Sequence, residues 1–209
     1  MGCAIAYNLL KRDPNLSVLL VERDSTYATS STVLSDGNIR VQFNVRENIQ
    51  ISQYANEVLE TFDEDMAVGE ANPCVNARHE GNLFLVDEAG LAESERGLQL
   101  QQSLGCNVEW LSVPEIDAAY PRYQSRDCVG GTFSPEDGRV EPNAVLMGYK
   151  NKAIALGAHY IEGEVTEILT DQRQMRGVRL ASGDELNAGS VLNAAGAWAR
   201  GLALTAGVD

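Results

Sequence analysis

The N-terminal segment combines a glycine-started helix with an apolar strand that ends in an acid. Gly2 opens an apolar helical stretch at residues 3–10, and a turn at residues 13–15 leads to the apolar run of residues 17–21, which Glu22 closes. This order is typical of the strand–helix–strand unit that binds an adenine dinucleotide, where the helix N-terminus faces the pyrophosphate and the acid binds the ribose. The acid follows the glycine by about 20 residues, as such units require. The segment therefore predicts a Rossmann-like α/β fold.

Only part of the nucleotide-binding fingerprint is present. The full motif has a first strand and the glycines of GxGxxG ahead of the helix, and Gly2 matches only the last of these glycines. We therefore expect the unit to be truncated at its N-terminus. A strand that ends in an acid beside an arginine, as at Glu22 and Arg23, is also common in doubly wound proteins generally, so this signal alone leaves the ligand open.

Charge and hydropathy exclude several classes of partner. The chain has 209 residues, of which 44% are hydrophobic, enough for one domain or for part of a two-domain enzyme. With 16 basic against 30 acidic residues and a net charge of -14, it is not expected to bind nucleic acid. No apolar run approaches the roughly 20 residues that cross a bilayer, so no transmembrane segment is expected. The expected location is the cytoplasm, or the mitochondrion if the source is eukaryotic.

The cysteines and histidines do not predict a metal site. The four cysteines are scattered without a CxxC pair, and neither His79 nor His159 has a partner at metal-ligand spacing. We expect structural roles for these side chains.

A serine- and threonine-rich stretch at residues 27–43 follows the acid-ended strand. Its side chains compete for backbone hydrogen bonds and so disfavour a long helix, but they offer hydroxyls and amides to phosphate oxygens. Such stretches are often solvated connections. The position directly after Glu22 favours a ligand-binding loop.

The rest of the chain predicts an insertion between two parts of the nucleotide-binding domain. A helix is expected at residues 46–66, with one apolar face in the core formed by Ile49, Ile51, Tyr54, Ala55, Val58, Leu59 and Phe62. Short strands and helices follow up to residue 136, and α/β alternation then returns. We therefore assign residues 1–45 and 137–209 to the nucleotide-binding parts and residues 46–136 to a helical and mixed-sheet substrate domain.

The last predicted strand, residues 190–193, runs into Ala194-Ala195-Gly196. Small side chains at the carboxyl end of a parallel strand allow the backbone to approach a cofactor closely. This segment is the second candidate for cofactor contact.

Taken in order, these motifs resemble the D-amino acid oxidase superfamily, and within it the branch of glycine oxidase, sarcosine oxidase and FAD-dependent oxidoreductase domain proteins. The resemblance spans essentially the whole chain. It is carried by the Gly2 helix, Val21-Glu22-Arg23, the stretch from Ser30-Ser31 through Gly37-Asn38-Ile39-Arg40-Val41-Gln42-Phe43, Asp137-Gly138-Arg139-Val140-Glu141-Pro142, and Asn193-Ala194-Ala195-Gly196-Ala197-Trp198.

The resemblance implies cofactor roles for ten residues. Gly2 would start the helix that faces the pyrophosphate, Ser30 and Ser31 would contact it there, and Glu22 would hold the ribose, with Arg23 beside it. The remaining implied contacts are those of Ser35 and Gly37 near the flavin ring, the backbone of Val165 at the adenine, and Ala195 and Gly196 close to the dinucleotide.

Arg40 is the implied substrate-binding residue. It is similar in place to an arginine near the isoalloxazine of sarcosine oxidases, where a cation favours a developing flavin anion or a substrate carboxylate. From the sequence alone, a role for Arg40 in a surface salt bridge is an equally good interpretation.

Departures from the family pattern bear on the site. The first strand and two fingerprint glycines have no counterpart, nor do the segments with which relatives complete the flavin pocket after residue 209, so we also expect a C-terminal truncation and an incomplete site. The loop of residues 27–35 lacks a histidine of the kind that some relatives attach to FAD, which implies non-covalent FAD. No side chain is an evident general acid or base, so no catalytic residue is predicted.

The resemblance implies an FAD-dependent oxidoreductase that oxidises the carbon–nitrogen bond of a small amine or amino acid. Oxygen, a quinone or an electron-transfer protein would accept the electrons. Two alternatives stay open: a flavin-binding scaffold, as in the branch that serves mitochondrial complex I assembly, and a nicotinamide-dependent dehydrogenase, because Glu22 would suit the ribose of NAD equally. The serine-rich loop and the Asn193–Gly196 ending favour FAD.

Overall fold

The computed structural model describes residues 1–208 with the exception of residues 124 and 173. It contains two compact units. Unit 1 comprises Met1–Ser35, Met66–Pro73 and Pro142–Asp209, and unit 2 comprises Asp36–Asp65 and Cys74–Glu141.

The described residues form seven α-helices and one 3₁₀ helix. Their bounds are α1 Gly2–Arg12, α2 Arg46–Glu60, α3 Phe62–Asp65, α4 Leu91–Ser103, α5 Val113–Ala119, α6 Pro142–Ala155 and α7 Ala199–Thr205, with a 3₁₀ helix at Gly196–Trp198.

The strands are short and form small sheets. Their bounds are β1 Leu19–Glu22, β2 Asn38–Ile39, β3 Asn82–Val86, β4 Glu109–Leu111, β5 Gly130–Ser134, β6 Gly138–Arg139, β7 His159–Glu162, β8 Val165–Asp171, β9 Gln174–Leu180 and β10 Glu185–Asn187. Among the described residues the strand orders are β1–β7, β10–β9–β8, β2–β6 and β3–β5–β4.

Unit 1 contains a parallel strand pair with a helix leading into each strand. β1 pairs with β7 in parallel, with Glu22 opposite Glu162. α1 packs against α6, and the rings of Tyr7 and Tyr149 lie 5.6 Å apart between their centroids. Parallel strands need apolar cover, and on one face the two helices supply it, where Cys3 and Leu146 pack with Leu20 and Tyr160. This arrangement confirms the predicted Rossmann-like α/β class.

The second sheet of unit 1 is an antiparallel meander of β8, β9 and β10. Helix α7 packs on β8, where the hydroxyl of Thr205 accepts the backbone N–H of Ile168 at 2.9 Å. This contact fixes α7 against β8.

Unit 2 is built around an antiparallel sheet in which β5 lies between β3 and β4. The core beside it groups Val41, Ile49, Cys106 and Val108, all buried. Unit 2 also takes in residues 36–45, which the sequence placed with the nucleotide-binding part. They belong to unit 2 because β2 pairs with β6 and because Val41 packs in this core.

The apolar face predicted for the helix at residues 46–66 is only partly in the core. Ile49 and Phe62 are 0% and 1% exposed, but Ile51 and Tyr54 are 65% and 64% exposed, so the prediction is wrong for these two. The side of α2 that carries Ile49 packs in the core cluster of unit 2. The helix ends at Glu60, before the predicted end at residue 66.

The strand predicted at residues 190–193 does not form. A strand requires a neighbour that completes its hydrogen-bond ladder, and no described strand pairs with this segment, in which Leu192 is 64% exposed. The chain here runs as an irregular segment into the 3₁₀ helix. β10, which the sequence did not predict, pairs with β9 instead.

Candidate cofactor and substrate sites

The N-terminus of α1 presents unused backbone donors. No side chain caps the helix, and its first turn contains no acidic residue. The first N–H groups of a helix lack partners within the helix and carry partial positive charge, which suits a pyrophosphate. A Cβ atom on Gly2 would lie 3.6 Å from Cβ of Ala194 and 3.9 Å from Cδ2 of Leu20. The start of α1 therefore lies against both β1 and the Ala194–Gly196 segment.

Glu22 is the last residue of β1 and is held at the strand end. Its Oε1 accepts the backbone N–H of Asp24 at 3.1 Å, and its backbone carbonyl accepts the N–H of Gly163 at 2.8 Å. The carboxylate thus lies at the carboxyl end of a parallel strand, where doubly wound folds bind their ligands. Val165 begins β8 two residues after Gly163.

Arg23 joins the end of β1 to the 3₁₀ helix. Its guanidinium lies over the ring of Trp198, 4.1 Å from the centroid, and its Nη2 donates to Oγ1 of Thr29 at 3.4 Å. A cation over an indole face is attractive by about 0.5–1 kcal/mol when exposed. The stack brings Glu22 and Arg23 together with the segment that begins at Ala195.

Ala195 and Gly196 present backbone to solvent. Gly196 has φ +54°, a conformation that side chains disfavour, and nothing lies within 4 Å of where its Cβ would be. The N–H of Ala195 donates to Oδ1 of Asn193 at 3.2 Å. The backbone at Gly196 is therefore open to solvent, and its contact with a cofactor stays a prediction.

The serine-rich loop forms a capped turn. Oγ of Ser30 accepts the N–H of Val33 at 3.2 Å, and the carbonyl of Ser30 accepts the N–H of Leu34 at 3.1 Å. Ser31 and Ser35 are exposed. The turn is ordered by its own hydrogen bonds, and the hydroxyl hydrogen of Ser30 is not used in them.

The loop begins at Tyr27, which is buried and contacts the half-buried Tyr160. The hydroxyls of Tyr27 and Tyr160 share a hydrogen bond of 2.9 Å, and Nζ of Lys150 lies 4.0 Å from the centroid of the Tyr160 ring. Burial raises the pKa of Tyr27 far above its ordinary value of 10.0, and burial also raises the pKa of the neighbouring Cys3 thiol. Both groups are neutral at physiological pH. The sequence carried no signal for this pair, because Tyr27 and Tyr160 are 133 residues apart.

Gly37 and Arg40 lie in unit 2. Gly37 is buried at φ +75°, and its carbonyl accepts the N–H of Val140 at 3.0 Å. Arg40 is half-buried, with its guanidinium 4.6 Å from the centroid of the Phe43 ring and 5.3 Å from that of Phe84. In the part of the chain that the structure describes, no carboxylate lies within 4 Å of this guanidinium. The expected alternative of a surface salt bridge is therefore not formed.

An open cavity of about 660 Å³ surrounds Arg40, and we call it the Arg40 pocket. Its lining mixes a cation, a carboxylate, amides, a hydroxyl and apolar groups: Asp36, Asn38, Ile39, Arg40, Phe43, Ser52, Ala55, Asn56, Asn82, Leu83 and Phe84. Six of these eleven residues are polar or charged, so the cavity offers many hydrogen-bonding groups to a small molecule.

Asp137 holds two walls of the Arg40 pocket in place. This residue is 0% exposed. Its Oδ1 accepts the N–H of Val41 at 2.7 Å, and its Oδ2 accepts from Nε2 of Gln42 at 2.9 Å and from Nδ2 of Asn82 at 3.4 Å. The sequence marked residues 137–142 as a motif but did not predict this role.

The predicted site residues are divided between the units. Unit 1 holds the larger set, and its contacts bring together the α1 start, the β1 end and the Ala194–Trp198 segment. The set consists of Gly2, Glu22, Arg23, Ser30, Ser31, Ser35, Val165, Ala195 and Gly196. Gly37 and Arg40 belong to unit 2. Their roles toward a ligand stay predictions.

The described residues contain neither a membrane-spanning helix nor a metal-binding cluster. No described helix is long and apolar enough to cross a membrane. No group of three or more histidine, cysteine or acidic side chains in the described ranges is arranged to hold a metal ion.

Comparison with known proteins identifies relatives over the whole chain. The family model described as FAD dependent oxidoreductase (DAO) matches residues 1–208. FAD-dependent oxidoreductase domain-containing protein 1 of Bos taurus is 31% identical across 100% of this chain and 48% of its own length. Mitochondrial sarcosine dehydrogenase of Mus musculus is 26% identical, across 100% of this chain and 23% of its own length. The chain thus spans about half the length of the first of these relatives.

Solved structures share the fold. L-proline dehydrogenase from P. horikoshii superposes with a TM-score of 0.84 at 24% identity, over 99% of this chain and 53% of that protein. Glycine oxidase from Geobacillus kaustophilus superposes with a TM-score of 0.82 at 21% identity, over 99% of this chain and 55% of that protein.

Proposed function

Because the chain belongs to the DAO family of FAD-dependent oxidoreductases, we propose that it oxidises the carbon–nitrogen bond of a small amine or amino acid. Membership of this family confirms the expectation of FAD and removes the nicotinamide-dependent dehydrogenase from consideration. Sarcosine dehydrogenase and glycine oxidase are among the relatives, and both names specify a carboxylate-bearing amine. The substrate class proposed here rests on that shared chemistry.

The surroundings of Gly2 in unit 1 support the proposal that the chain binds FAD. A Cβ atom on Gly2 would contact both Leu20 and Ala194, so the three segments predicted to hold a dinucleotide lie side by side. The helix start offers N–H groups without a competing acidic side chain, and Glu22 is oriented at the adjacent strand end. These groups are the donors and the acceptor that an FAD pyrophosphate and ribose require. The residues therefore fit the cofactor.

Each segment of unit 1 has a separate role in holding FAD. The first turn of α1 and the turn that Ser30 caps would bind the pyrophosphate oxygens, and Glu22 would accept hydrogen bonds from the ribose hydroxyls. The backbone of Val165 would contact the adenine. FAD, when bound, supplies the hydride acceptor, which explains why no general acid or base is needed among the side chains.

Arg40 is the residue that we propose binds the substrate. Its guanidinium is half-buried, lies over two aromatic rings and has no carboxylate partner among the described residues. A guanidinium can bind a carboxylate through two parallel N–H donors, which fixes both position and orientation. Arg40 would thus hold the carboxylate of an amino acid and neutralise its charge.

Electron acceptor and location are further parts of the proposal. Oxygen, a quinone or an electron-transfer protein would reoxidise the protein. The mitochondrial relatives favour the mitochondrion if the source is eukaryotic, and the cytoplasm is the alternative. A flavin-binding scaffold without turnover is the competing function.

Anaerobic reduction distinguishes the enzyme from the scaffold. The protein would be expressed from its complete gene, purified with FAD and mixed without oxygen with glycine, sarcosine, L-proline and a panel of D- and L-amino acids. The proposal predicts that at least one of these amines bleaches the flavin absorbance. Tight FAD that no amine reduces would support the scaffold and contradict the proposed oxidation.

A further inference from the structure

The wall of the Arg40 pocket that α2 provides contains two polar side chains beside an apolar one. Ser52, Ala55 and Asn56 are spaced so that they share one face of the helix. Ser52 and Asn56 are half-buried, and neither side chain has a hydrogen-bond partner among the described residues. They are therefore available to a ligand.

The other two amides of the pocket are already engaged. Asn38 and Asn82 bind each other through both of their side-chain amide groups, with distances of 3.3 Å, and Nδ2 of Asn38 also donates to the carbonyl of Gly138 at 3.2 Å. This pair forms a fixed part of the wall. Among the hydroxyl and amide side chains of the lining, those left for a ligand lie on α2, and the charged groups Arg40 and Asp36 stand beside them.

The charges of the lining restrict the ligand further. Arg40 is the one cation among the lining residues of the pocket, and Asp36 is the one carboxylate. A second anionic group on the ligand would meet Asp36 without another cation to pair with, and unpaired charge is costly to desolvate. A hydroxyl and a carboxamide, as on Ser52 and Asn56, are matched by a neutral group that both donates and accepts.

The size of the Arg40 pocket favours a ligand longer than glycine or sarcosine. Ligand pockets measure about 300–1,000 Å³, and this open cavity measures about 660 Å³. Glycine or sarcosine bound at Arg40 would fill only a small part of it and would leave the α2 wall without a partner. A longer amino acid would occupy both ends.

We propose that the Arg40 pocket selects an amino acid whose side chain ends in a neutral carboxamide or hydroxyl, which binds Ser52 and Asn56 while Arg40 binds the carboxylate. This inference rests on the proposed function, because it names the substrate class of the same site. Ser52 and Asn56 are then the residues that determine specificity.

Isosteric ligand pairs test the inference. Asparagine and leucine have nearly the same shape and differ in the carboxamide, and glutamine and methionine extend the comparison by one atom. Both enantiomers of each would be measured with the FAD-loaded protein from its complete gene, by isothermal titration calorimetry for binding and by anaerobic flavin bleaching for oxidation. We expect the carboxamide member of at least one pair to bind about tenfold more tightly, as one or two added hydrogen bonds produce.

Variants of α2 test whether Asn56 is responsible for the preference for the carboxamide ligand. Asn56→Leu removes the amide at nearly constant volume and should abolish the preference within the pair. Asn48→Leu is the matched control, because it makes the same change at an exposed position of the same helix outside the pocket lining. It should leave the preference intact.

The results separate this inference from the proposed function. Equal binding of both members of every pair, or no binding by any of them, would overturn the inference, as would a preference that survives in Asn56→Leu. Selective binding of the carboxamide ligand without bleaching by any amine would instead contradict the oxidation and leave the specificity assignment standing.

Discussion

The carboxylate of Asp137 accepts the backbone N–H of Val41 across 2.7 Å, and so fixes the chain directly after Arg40. The same carboxylate binds the side chains of Gln42 and Asn82. A buried charged group is costly unless it is fully hydrogen-bonded, and three N–H donors meet that requirement here. Asp137 is therefore a positioning residue for the Arg40 pocket.

Asp137→Asn should destabilise the protein. The amide of the new side chain cannot accept from all three donors, and one donor is then left buried without a partner. We expect the free energy of unfolding to fall by about 2–4 kcal/mol, measured by urea denaturation. Asp127→Asn, at an exposed position, should change it by less than about 0.5 kcal/mol. Equal stability of both variants would show that the buried contacts of Asp137 contribute nothing.

Glu22→Gln should weaken FAD binding without loss of the fold. The amide keeps an oxygen for the N–H of Asp24 but loses the charge that strengthens hydrogen bonds from ribose hydroxyls. The dissociation constant for FAD, measured by flavin fluorescence, should rise about tenfold. Glu162→Gln is the control, because Glu162 is the parallel partner of Glu22 in β7. If both variants bind FAD as tightly as the parent, Glu22 does not hold the ribose.

Arg40→Leu should reduce the affinity for carboxylate-bearing substrates while the flavin spectrum stays unchanged. The guanidinium contributes a charged hydrogen bond to the carboxylate, so kcat/KM for the best amine should fall about tenfold to a hundredfold. Arg40→Lys keeps the charge but not the two parallel donors and should give an intermediate value. A substrate without a carboxylate, such as the matching amide, should be insensitive to either change. Equal losses for the acid and its amide would argue that Arg40 has a structural role instead.

Tyr27 makes stability depend on pH in the alkaline range. Burial raises the pKa of Tyr27, so the folded chain retains a proton that the unfolded chain loses near the ordinary tyrosine value of about 10. The unfolded state then binds fewer protons, and stability falls with rising pH. The contribution is fully present below about pH 10 and is lost as the pH rises above it.

Denaturation between pH 8 and pH 11 tests whether stability falls with rising pH because of Tyr27. The parent should lose stability above about pH 10 more steeply than Tyr27→Phe, which has no hydroxyl to ionise. Tyr54→Phe, at a position that is 64% exposed, should behave as the parent does. A parallel pH profile for the parent and Tyr27→Phe would show that Tyr27 ionises equally in both states.

The parts of the fold that depend on local pattern were predictable. The helix at residues 2–12 and the strand that ends at Glu22 follow from apolar periodicity and end signals over a few turns. The resemblance to the DAO family was also predictable, because it depends on the order of short motifs.

Features that depend on distant contacts were not predictable. Asp137 binds Val41 across 96 positions in the chain, and no local pattern shows that its carboxylate is buried. Periodicity identified an apolar face on α2, but it could not show that the core takes Ile49 and leaves Ile51 exposed. The segment at residues 190–193 was predicted as a strand, but no described strand pairs with it. In each case the deciding interaction lies far away in sequence.

The visible absorbance spectrum of the protein, purified from its complete gene, tests the central claim most directly. The account predicts a yellow protein with a flavin absorbance, from which denaturation releases FAD in near-equal molar amount, as expected for a non-covalent cofactor. The Glu22→Gln variant should retain less of it after the same purification. A colourless protein that cannot be reconstituted with added FAD would contradict the account.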